Sequence, residues 1–195
     1  MGVHRIEHLP HGGDDPGKIG INGAKEKEIN LAIAKKLQSL LEAEGFAVVM
    51  TRESDEGLYE ESSESKKQQD MKKRCEKINK ANPLCTVSIH QNSYQDGIVQ
   101  GPQVFYYSHS DEGQKLAAAI QKSLNEGLEV ARERAIKENN SYYILRKTKS
   151  PIVIAECGFL SNQREAELLV SEEYQTKVAE ALKNGVISYT EALQK

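Results

Sequence analysis

The sequence predicts an α/β fold in which a largely parallel β-sheet is covered by helices on both faces. Short runs rich in β-branched and aromatic residues alternate along the chain with longer segments of helical periodicity. The strand-like runs are apolar almost throughout, which is typical of strands buried on both faces. At 195 residues the chain has the length of one domain. We therefore expect a single α/β domain over residues 1–195.

Five runs have the length and composition of strands. They are residues 46–51, 85–89, 103–107, 142–145 and 152–155. The last run follows Pro151 and is apolar from end to end, which predicts a central, buried strand.

Three amphipathic helices are predicted between and after these runs. The first places its apolar residues on one face and is expected to end near Gly45. The second is expected to end near Gly127, and the third covers about residues 172–193. The apolar residues that mark the first two are Ile29, Ile33, Leu37, Leu40 and Leu41, and then Leu116, Ile120 and Leu124.

Composition excludes several classes of protein. The 26 Lys and Arg residues nearly balance 29 Asp and Glu residues, which argues against nucleic-acid binding through a basic field and against a polybasic membrane-surface protein. No run approaches the roughly 18 apolar residues of a membrane span. The three cysteines form no C-x-x-C motif, so neither a zinc knuckle nor a disulfide scaffold is indicated. Cys85 and Cys157 lie in apolar runs and are expected to be buried.

An acidic segment and a basic segment follow one another in the first half of the chain. Residues 53–64 contain acids but no base, and a lysine-rich helical stretch with Lys66, Lys67, Lys72, Lys73 and Arg74 follows. The pattern is typical of a solvated loop leading into a solvated helix face. Alternatively, the loop shapes a groove beside the active site.

A glycine-rich segment superficially matches a phosphate-binding loop. Residues 12–18 fit G-x-x-x-x-G-K, but Ile19 stands where a Ser or Thr would meet magnesium. Two acids and Pro16 inside the segment also oppose phosphate binding. We therefore exclude a nucleotide site.

A metal site fits the same region better. His11 opens the glycine-rich turn, Glu26 opens the first helix, and His90 follows the strand 85–89. Because the carboxyl ends of parallel strands and the adjoining loops face a common crevice, these side chains are expected to converge. Two His and one Glu form a recurrent ligand set for catalytic zinc. His4, His8 and His109 are rival ligands, although Pro10 opposes a helical turn that would pair His8 with His11.

Glu156 is the candidate general base. It follows the predicted central strand, where a buried carboxylate is costly unless it is paired or linked to a metal. In a hydrolytic zinc site, such a carboxylate takes the proton of water and delivers it to the leaving amine.

Five ordered segments resemble the signature blocks of the zinc-dependent N-acetylmuramoyl-L-alanine amidases of the "amidase 3" type, and the resemblance spans about residues 11–189. Within that family, the chain looks most similar to the germination-specific cortex amidases of endospore-forming bacteria. The five segments are residues 11–17, 26–31, 51–55, 88–92 and 156–162. The segments that indicate the subgroup are residues 51–55, 70–76, 101–107 and 158–169.

The resemblance implies one catalytic amidase domain with a twisted, mostly parallel sheet of about six strands. It implies zinc held by His11, Glu26 and His90 and a catalytic Glu156. The reaction implied is hydrolysis of the amide between the lactyl group of N-acetylmuramic acid and L-alanine, which in the cortex subgroup is a step toward muramic δ-lactam.

Three further residues are expected to position the substrate. They are Asn92, Arg52 and Arg134, the last matched to an arginine that the family places before a strand. The resemblance also implies a peptidoglycan substrate and a lipoprotein partner that assists in some spore formers. We expect an extracytoplasmic protein whose signal sequence has been removed.

Two alternatives remain at this point. The family usually places Asp-Pro-Gly before its first His, at the end of an apolar strand, whereas residues 5–10 of this chain are polar. That departure motivates the hypothesis of a non-catalytic or partner-activated peptidoglycan-binding protein that keeps the fold. A zinc peptidase that cuts between amino acids is the second alternative.

Overall fold

A computed structural model describes residues 10–128, 130 and 133–194, together with the backbone of residues 4–8. Its strands are β1 His4–His8, β2 Ala47–Met50, β3 Cys85–Asn92, β4 Gln103–Tyr106, β5 Lys137–Glu138 and β6 Ile152–Phe159. Its helices are α1 Glu26–Ala43, α2 Lys66–Ala81, α3 Asp111–Gly127, α4 Tyr143–Lys147, α5 Gln163–Leu169 and α6 Glu172–Ala192.

The strands form one mixed sheet in the order β2-β1-β3-β6-β4-β5. The pairs β2–β1, β1–β3, β3–β6 and β4–β5 are parallel, and β4 runs antiparallel to β6. β3 and β6 are therefore central, and β5 is a two-residue edge strand. The predicted α/β class, with a mostly parallel sheet between helices, is confirmed.

Two apolar cores lie on opposite faces of the sheet. The larger packs α1, α3 and α6 against one face, and the smaller packs α2 and α4 against the other. Because successive strand residues point to opposite faces, Val153 and Ala155 of β6 enter the larger core while Ile152 and Ile154 enter the smaller one. By the same alternation, Glu156 lies on the face covered by α2 and α4.

The long helices end and begin where local chemistry dictates. Gly45 adopts a φ of 83°, a left-handed conformation that suits the residue after a helix, so α1 ends where predicted. Side-chain oxygens of Ser110, Asn162 and Ser171 accept N–H hydrogen bonds at the starts of α3, α5 and α6. These caps satisfy backbone donors that have no partner inside the helix.

Close packing of α3 and α6 requires a glycine. A Cβ atom on Gly185 would lie 2.6 Å from the Cα atom of Ile120, which is backbone and cannot rotate away. The two helices thus approach each other more closely than any larger residue would allow.

One predicted strand is wrong. Residues 142–145 belong to α4, a short helix that begins at Tyr143. The Asn139 side chain accepts N–H hydrogen bonds from Ser141 and Tyr142, which turns the chain before the helix. The neighbours Ile144 and Leu145 both enter the smaller core, as a helix permits and an alternating strand does not.

The sequence pattern also misses β1, β5 and α5. β1 lies between β2 and β3 although residues 4–8 are mostly polar and carry no strand signature. Within the described residues, Cys75, Cys85 and Cys157 are all buried and none forms a disulfide, which confirms the expected burial of the latter two. Across that same part of the chain, none of the helices combines the length and apolarity needed to cross a membrane.

Candidate active site

The structure brings together the three residues that were predicted as metal ligands. His11 lies in the turn after β1, Glu26 is the first residue of α1, and His90 lies near the end of β3. One candidate ligand atom from each lies within 4.8 Å of the others. The convergence follows from the topology. β1 and β3 are neighbouring parallel strands, and α1 begins near the carboxyl ends of both.

The Glu26 carboxylate is the centre of this group. Its Oε1 lies 3.0 Å from His90 Nδ1, and its Oε2 lies 3.4 Å from His11 Nε2. The backbone N–H groups of Lys18 and Gln91 donate to the two oxygens at 2.8 and 3.1 Å. These bonds fix the carboxylate in a nearly fully buried position.

Asp15 and Gly17 hold His11 against Glu26. The Asp15 carboxylate lies 2.9 Å from His11 Nδ1, which leaves Nε2 directed at Glu26. Such carboxylate–imidazole contacts orient metal-binding histidines. Gly17 has a φ of 70°, and a Cβ on it would lie 2.6 Å from Glu26 Oε2 and 2.8 Å from His11 Cδ2. Only glycine lets the loop pass this close to both side chains.

Burial and hydrogen bonding act in opposite directions on these groups. Burial alone would raise the pKa of Glu26, but hydrogen bonds with His11 and His90 lower that pKa far below its usual range. Burial alone would lower the pKa of His11, but its contacts with Glu26 and Asp15 raise it. In the metal-free protein these shifts keep Glu26 as a carboxylate and favour protonation of His11 beside it.

Arg74 stabilises the turn that contains His11. The sequence pattern does not predict this role. Its side chain is fully buried, and it donates to both Asp70 carboxylate oxygens at 2.5 and 2.9 Å. It also donates to Thr51 Oγ1 and to the carbonyl oxygen of His11, at 3.2 and 3.3 Å. The only available sequence signal is an acid four residues before an arginine on a helix.

Glu156 lies beside His90 on the neighbouring central strand. The two residues are register partners in the parallel β3–β6 pair. β6 continues to Phe159, so Glu156 lies inside the strand rather than at the end predicted for it. Its side chain is 8% exposed, and its Oε2 has no hydrogen-bond partner among the described residues. Burial and the Glu26 charge raise the pKa of Glu156 to about 8, against the opposing influence of Lys18.

A cleft of about 460 Å³ joins these groups. Asn92, one of the residues expected to position substrate, lines it. Lys18, Lys67, Tyr142 and Tyr143 also line it and were not predicted. The two tyrosines were assigned to a strand. Lys67 lies in the basic stretch that was interpreted as a solvated helix face, and Lys18 ends the glycine-rich segment that was excluded as a phosphate loop.

Arg52 and Arg134, also expected to position substrate, are not among the residues that line this cleft. The buried Arg52 guanidinium donates to the carbonyl oxygens of Ser54 and Lys27. Arg134 donates to the carbonyl oxygen of Gln100 and lies over the Phe159 ring. Both arginines therefore brace loops.

Of the rival histidines, His109 does not join the group. The His109 ring stacks edge-on against Tyr107. The side chains of His4 and His8 lie outside the described part of the structure.

Comparison with known proteins decides the family. A family model described as N-acetylmuramoyl-L-alanine amidase matches residues 9–188. The chain belongs to this family. The amidase family and enzyme class predicted from the sequence are thereby confirmed.

Individual amidases show the same relationship. The germination-specific N-acetylmuramoyl-L-alanine amidase of Bacillus subtilis is 35% identical over 92% of this chain and 76% of its own length. The CwlD amidase of Clostridioides difficile, solved in complex with the GerS lipoprotein, is 36% identical with a TM-score of 0.94, covering 97% of this chain and 99% of that one. An N-acetylmuramoyl-L-alanine amidase from Clostridium difficile 630 is 31% identical with a TM-score of 0.87, covering 98% of each chain.

Proposed function

We propose that this chain hydrolyses the amide between the lactyl group of N-acetylmuramic acid and L-alanine in peptidoglycan, with zinc as its metal. The observation that carries the proposal is the convergence of His11, Glu26 and His90 in a cleft that also contains Glu156. Family membership supports the reaction, and the site geometry supports the division of roles among these four residues.

The donor set fits zinc. Two imidazole nitrogens and one carboxylate are a protein ligand set found in zinc hydrolases, in which a fourth position stays open. The three donors are held in place by neighbours, with Asp15 on His11 and two backbone N–H groups on Glu26. When bound, zinc supplies Lewis acidity that polarises a carbonyl and lowers the pKa of water.

Glu156 serves as the base and then as the acid. It faces the cleft without a hydrogen-bond partner on Oε2 among the described residues, so this oxygen is available to accept a proton from water. The same carboxyl then donates that proton to the leaving nitrogen. The hydroxyl of water becomes part of the new lactyl carboxylate, the C–N bond breaks, and the proton passes to the nitrogen of L-alanine.

Asn92 positions the substrate at the edge of the cleft. Its backbone carbonyl accepts from Leu160, which anchors the residue where β3 ends. The side-chain amide can both donate to and accept from a peptide or an acetamido group.

We further propose spore cortex peptidoglycan as the substrate, acted on outside the cytoplasm. The relative named as germination-specific and the amidase solved with a lipoprotein support this assignment. The same structure supports a lipoprotein as a partner of this chain.

Purified peptidoglycan provides the test. The zinc-loaded protein is expected to release peptides with a free L-alanine amino group, detected by mass spectrometry. Glu156→Gln is expected to lose this release while it keeps zinc, and the exposed Glu180→Gln is the matched control that keeps both.

Three results would contradict the proposal. A new amino group on a residue other than L-alanine would indicate a peptidase. Zinc-loaded protein that binds peptidoglycan but releases nothing, with or without a lipoprotein partner, would indicate a non-catalytic binding protein. Full activity in Glu156→Gln would exclude Glu156 as the base.

A further inference from the structure

A groove of about 550 Å³ runs between α2 and α4 beside the active-site cleft. It is lined by Lys67, Gln68, Met71 and Lys72 of α2 and by Tyr143 of α4. Lys67, Met71 and Tyr143 line the cleft as well. Because the two cavities share these three residues, the groove is a lateral extension of the cleft.

The spacing of the α2 residues explains the shape of the groove. Positions 67, 68, 71 and 72 fall on one side of a helix, so their side chains line the same edge. Met71 and the Tyr143 ring provide apolar walls, and the two lysines place positive charge along the α2 side. This charge is part of the basic stretch that follows the acidic loop in the sequence.

Lys67, which lines both the groove and the active-site cleft, is held by an exposed ion pair. Lys67 is 75% exposed, and its Nζ lies 3.4 Å from Asp15 Oδ2. Lys72 Nζ lies 3.9 Å from Glu76 Oε1. Exposed ion pairs at these distances contribute little to stability. A carboxylate on a ligand can therefore replace Asp15 or Glu76 at small cost.

In the proposed substrate, the negative charges that could pair with these lysines lie on the peptide and not on the glycan. The lactyl carboxyl of muramic acid is consumed in the amide, and the N-acetylated sugars are neutral. Free carboxylates lie on the peptide, beginning with the glutamate that follows L-alanine. We propose that the α2–α4 groove binds the peptide part of the substrate, with Lys67 pairing with a carboxylate of that peptide. This inference rests on the proposed function and adds a specificity-determining residue to it.

Two ligands that differ only in charge test the proposal. They are N-acetylmuramoyl-L-alanyl-D-glutamic acid and its analogue with both glutamate carboxyl groups amidated. Binding is measured by calorimetry in the zinc-loaded Glu156→Gln background, which is expected to leave the ligands intact. Adding Lys67→Met is expected to weaken binding of the acid about tenfold and to leave binding of the amide unchanged. The matched control Lys80→Met, an exposed lysine at the far end of α2, is expected to change neither.

The subsite is overturned if Lys67→Met leaves binding of the acid unchanged, or if it weakens binding of both ligands equally. Mass spectrometry of the ligands after titration shows whether they were cleaved. It therefore distinguishes failure of the subsite from failure of the proposed function. Cleavage by Glu156→Gln would refute Glu156 as the base, and KM values for the two ligands would then make the same comparison. Release of peptide from peptidoglycan with no Lys67 effect would leave the proposed function standing without this subsite.

Discussion

The buried guanidinium of Arg74 donates a hydrogen bond to the carbonyl oxygen of His11, 3.3 Å away. His11 has a φ of 61°, a left-handed conformation that costs a non-glycine residue of the order of 1 kcal/mol. Arg74 is itself fixed by both oxygens of Asp70. The conformation of one candidate metal ligand thus depends on a helix residue 63 positions later in the chain.

Arg74→Met is expected to lower the free energy of unfolding by about 3–5 kcal/mol, because it leaves the largely buried Asp70 carboxylate without its cation. Since the carbonyl of His11 also loses a donor, zinc affinity is expected to fall about 10- to 100-fold. Urea denaturation and competition with a zinc chelator measure the two effects. Lys80→Met on the same helix is the control. Unchanged zinc affinity in folded Arg74→Met would show that Arg74 only stabilises the fold.

Zinc is expected to stabilise the folded protein through Glu26. A ligand that binds the folded state alone, at a thousandfold excess over its Kd, adds about 4 kcal/mol to the free energy of unfolding. We expect zinc to raise the Tm of the chelator-treated wild type and of Glu156→Gln, but not that of Glu26→Ala. Differential scanning fluorimetry with and without zinc measures this. An equal rise in Glu26→Ala would place the ion elsewhere.

Glu156 is expected to make the metal-free protein less stable as pH rises. Burial and the Glu26 charge raise its folded-state pKa from 4.5 to about 8, so between these pH values the unfolded state has released a proton that the folded state retains. Unfolding is then increasingly favoured with pH, by up to about 1.4 kcal/mol per pH unit from this residue. Near pH 4, Glu156→Gln and wild type should have the same free energy of unfolding. As pH rises, the variant should become more stable than wild type by up to the same amount per pH unit. The exposed Glu180→Gln is the control. If plots of the free energy of unfolding against pH were parallel for Glu156→Gln and wild type, the raised pKa of Glu156 would be contradicted.

Gly185→Ala is expected to destabilise the contact between α3 and α6. The new Cβ would lie 2.6 Å from Ile120 Cα, so the helices must separate, which typically costs about 1–3 kcal/mol. Asn184→Ala changes an exposed neighbour on α6 and serves as the control for helix propensity. Equal denaturation midpoints for the two variants would show that the helices can move apart freely.

Elements with strong periodicity could be predicted from the sequence, and elements defined by their neighbours could not. α1, α3 and α6 carry long apolar stripes, and β3 and β6 begin with buried runs of strand-forming residues, so local pattern and tertiary role agree. β1 is polar and is a strand because β2 and β3 flank it. Residues 142–145 have strand composition, but burial of the consecutive Ile144 and Leu145 favours a helix there.

The site shows the same division. His11, Glu26 and His90 could be brought together by a rule about where parallel strands end, reinforced by the family resemblance. Long side chains could not be placed this way. Arg52 and Arg134 reach backbone carbonyls outside the cleft, whereas Lys67 lines it, and no local pattern sets those directions.

Because its three thiols are buried, the folded chain is expected to react little with reductants or oxidants around it. Thiolates are the reactive form of cysteine, and burial raises the pKa of Cys75 to about 11 and raises that of Cys157 further still. With no disulfide among these sulfurs, reduction has no cross-link to remove, and oxidants meet shielded thiols. Alkylation of these cysteines would therefore report how often the sheet and its helices come apart, without any added label.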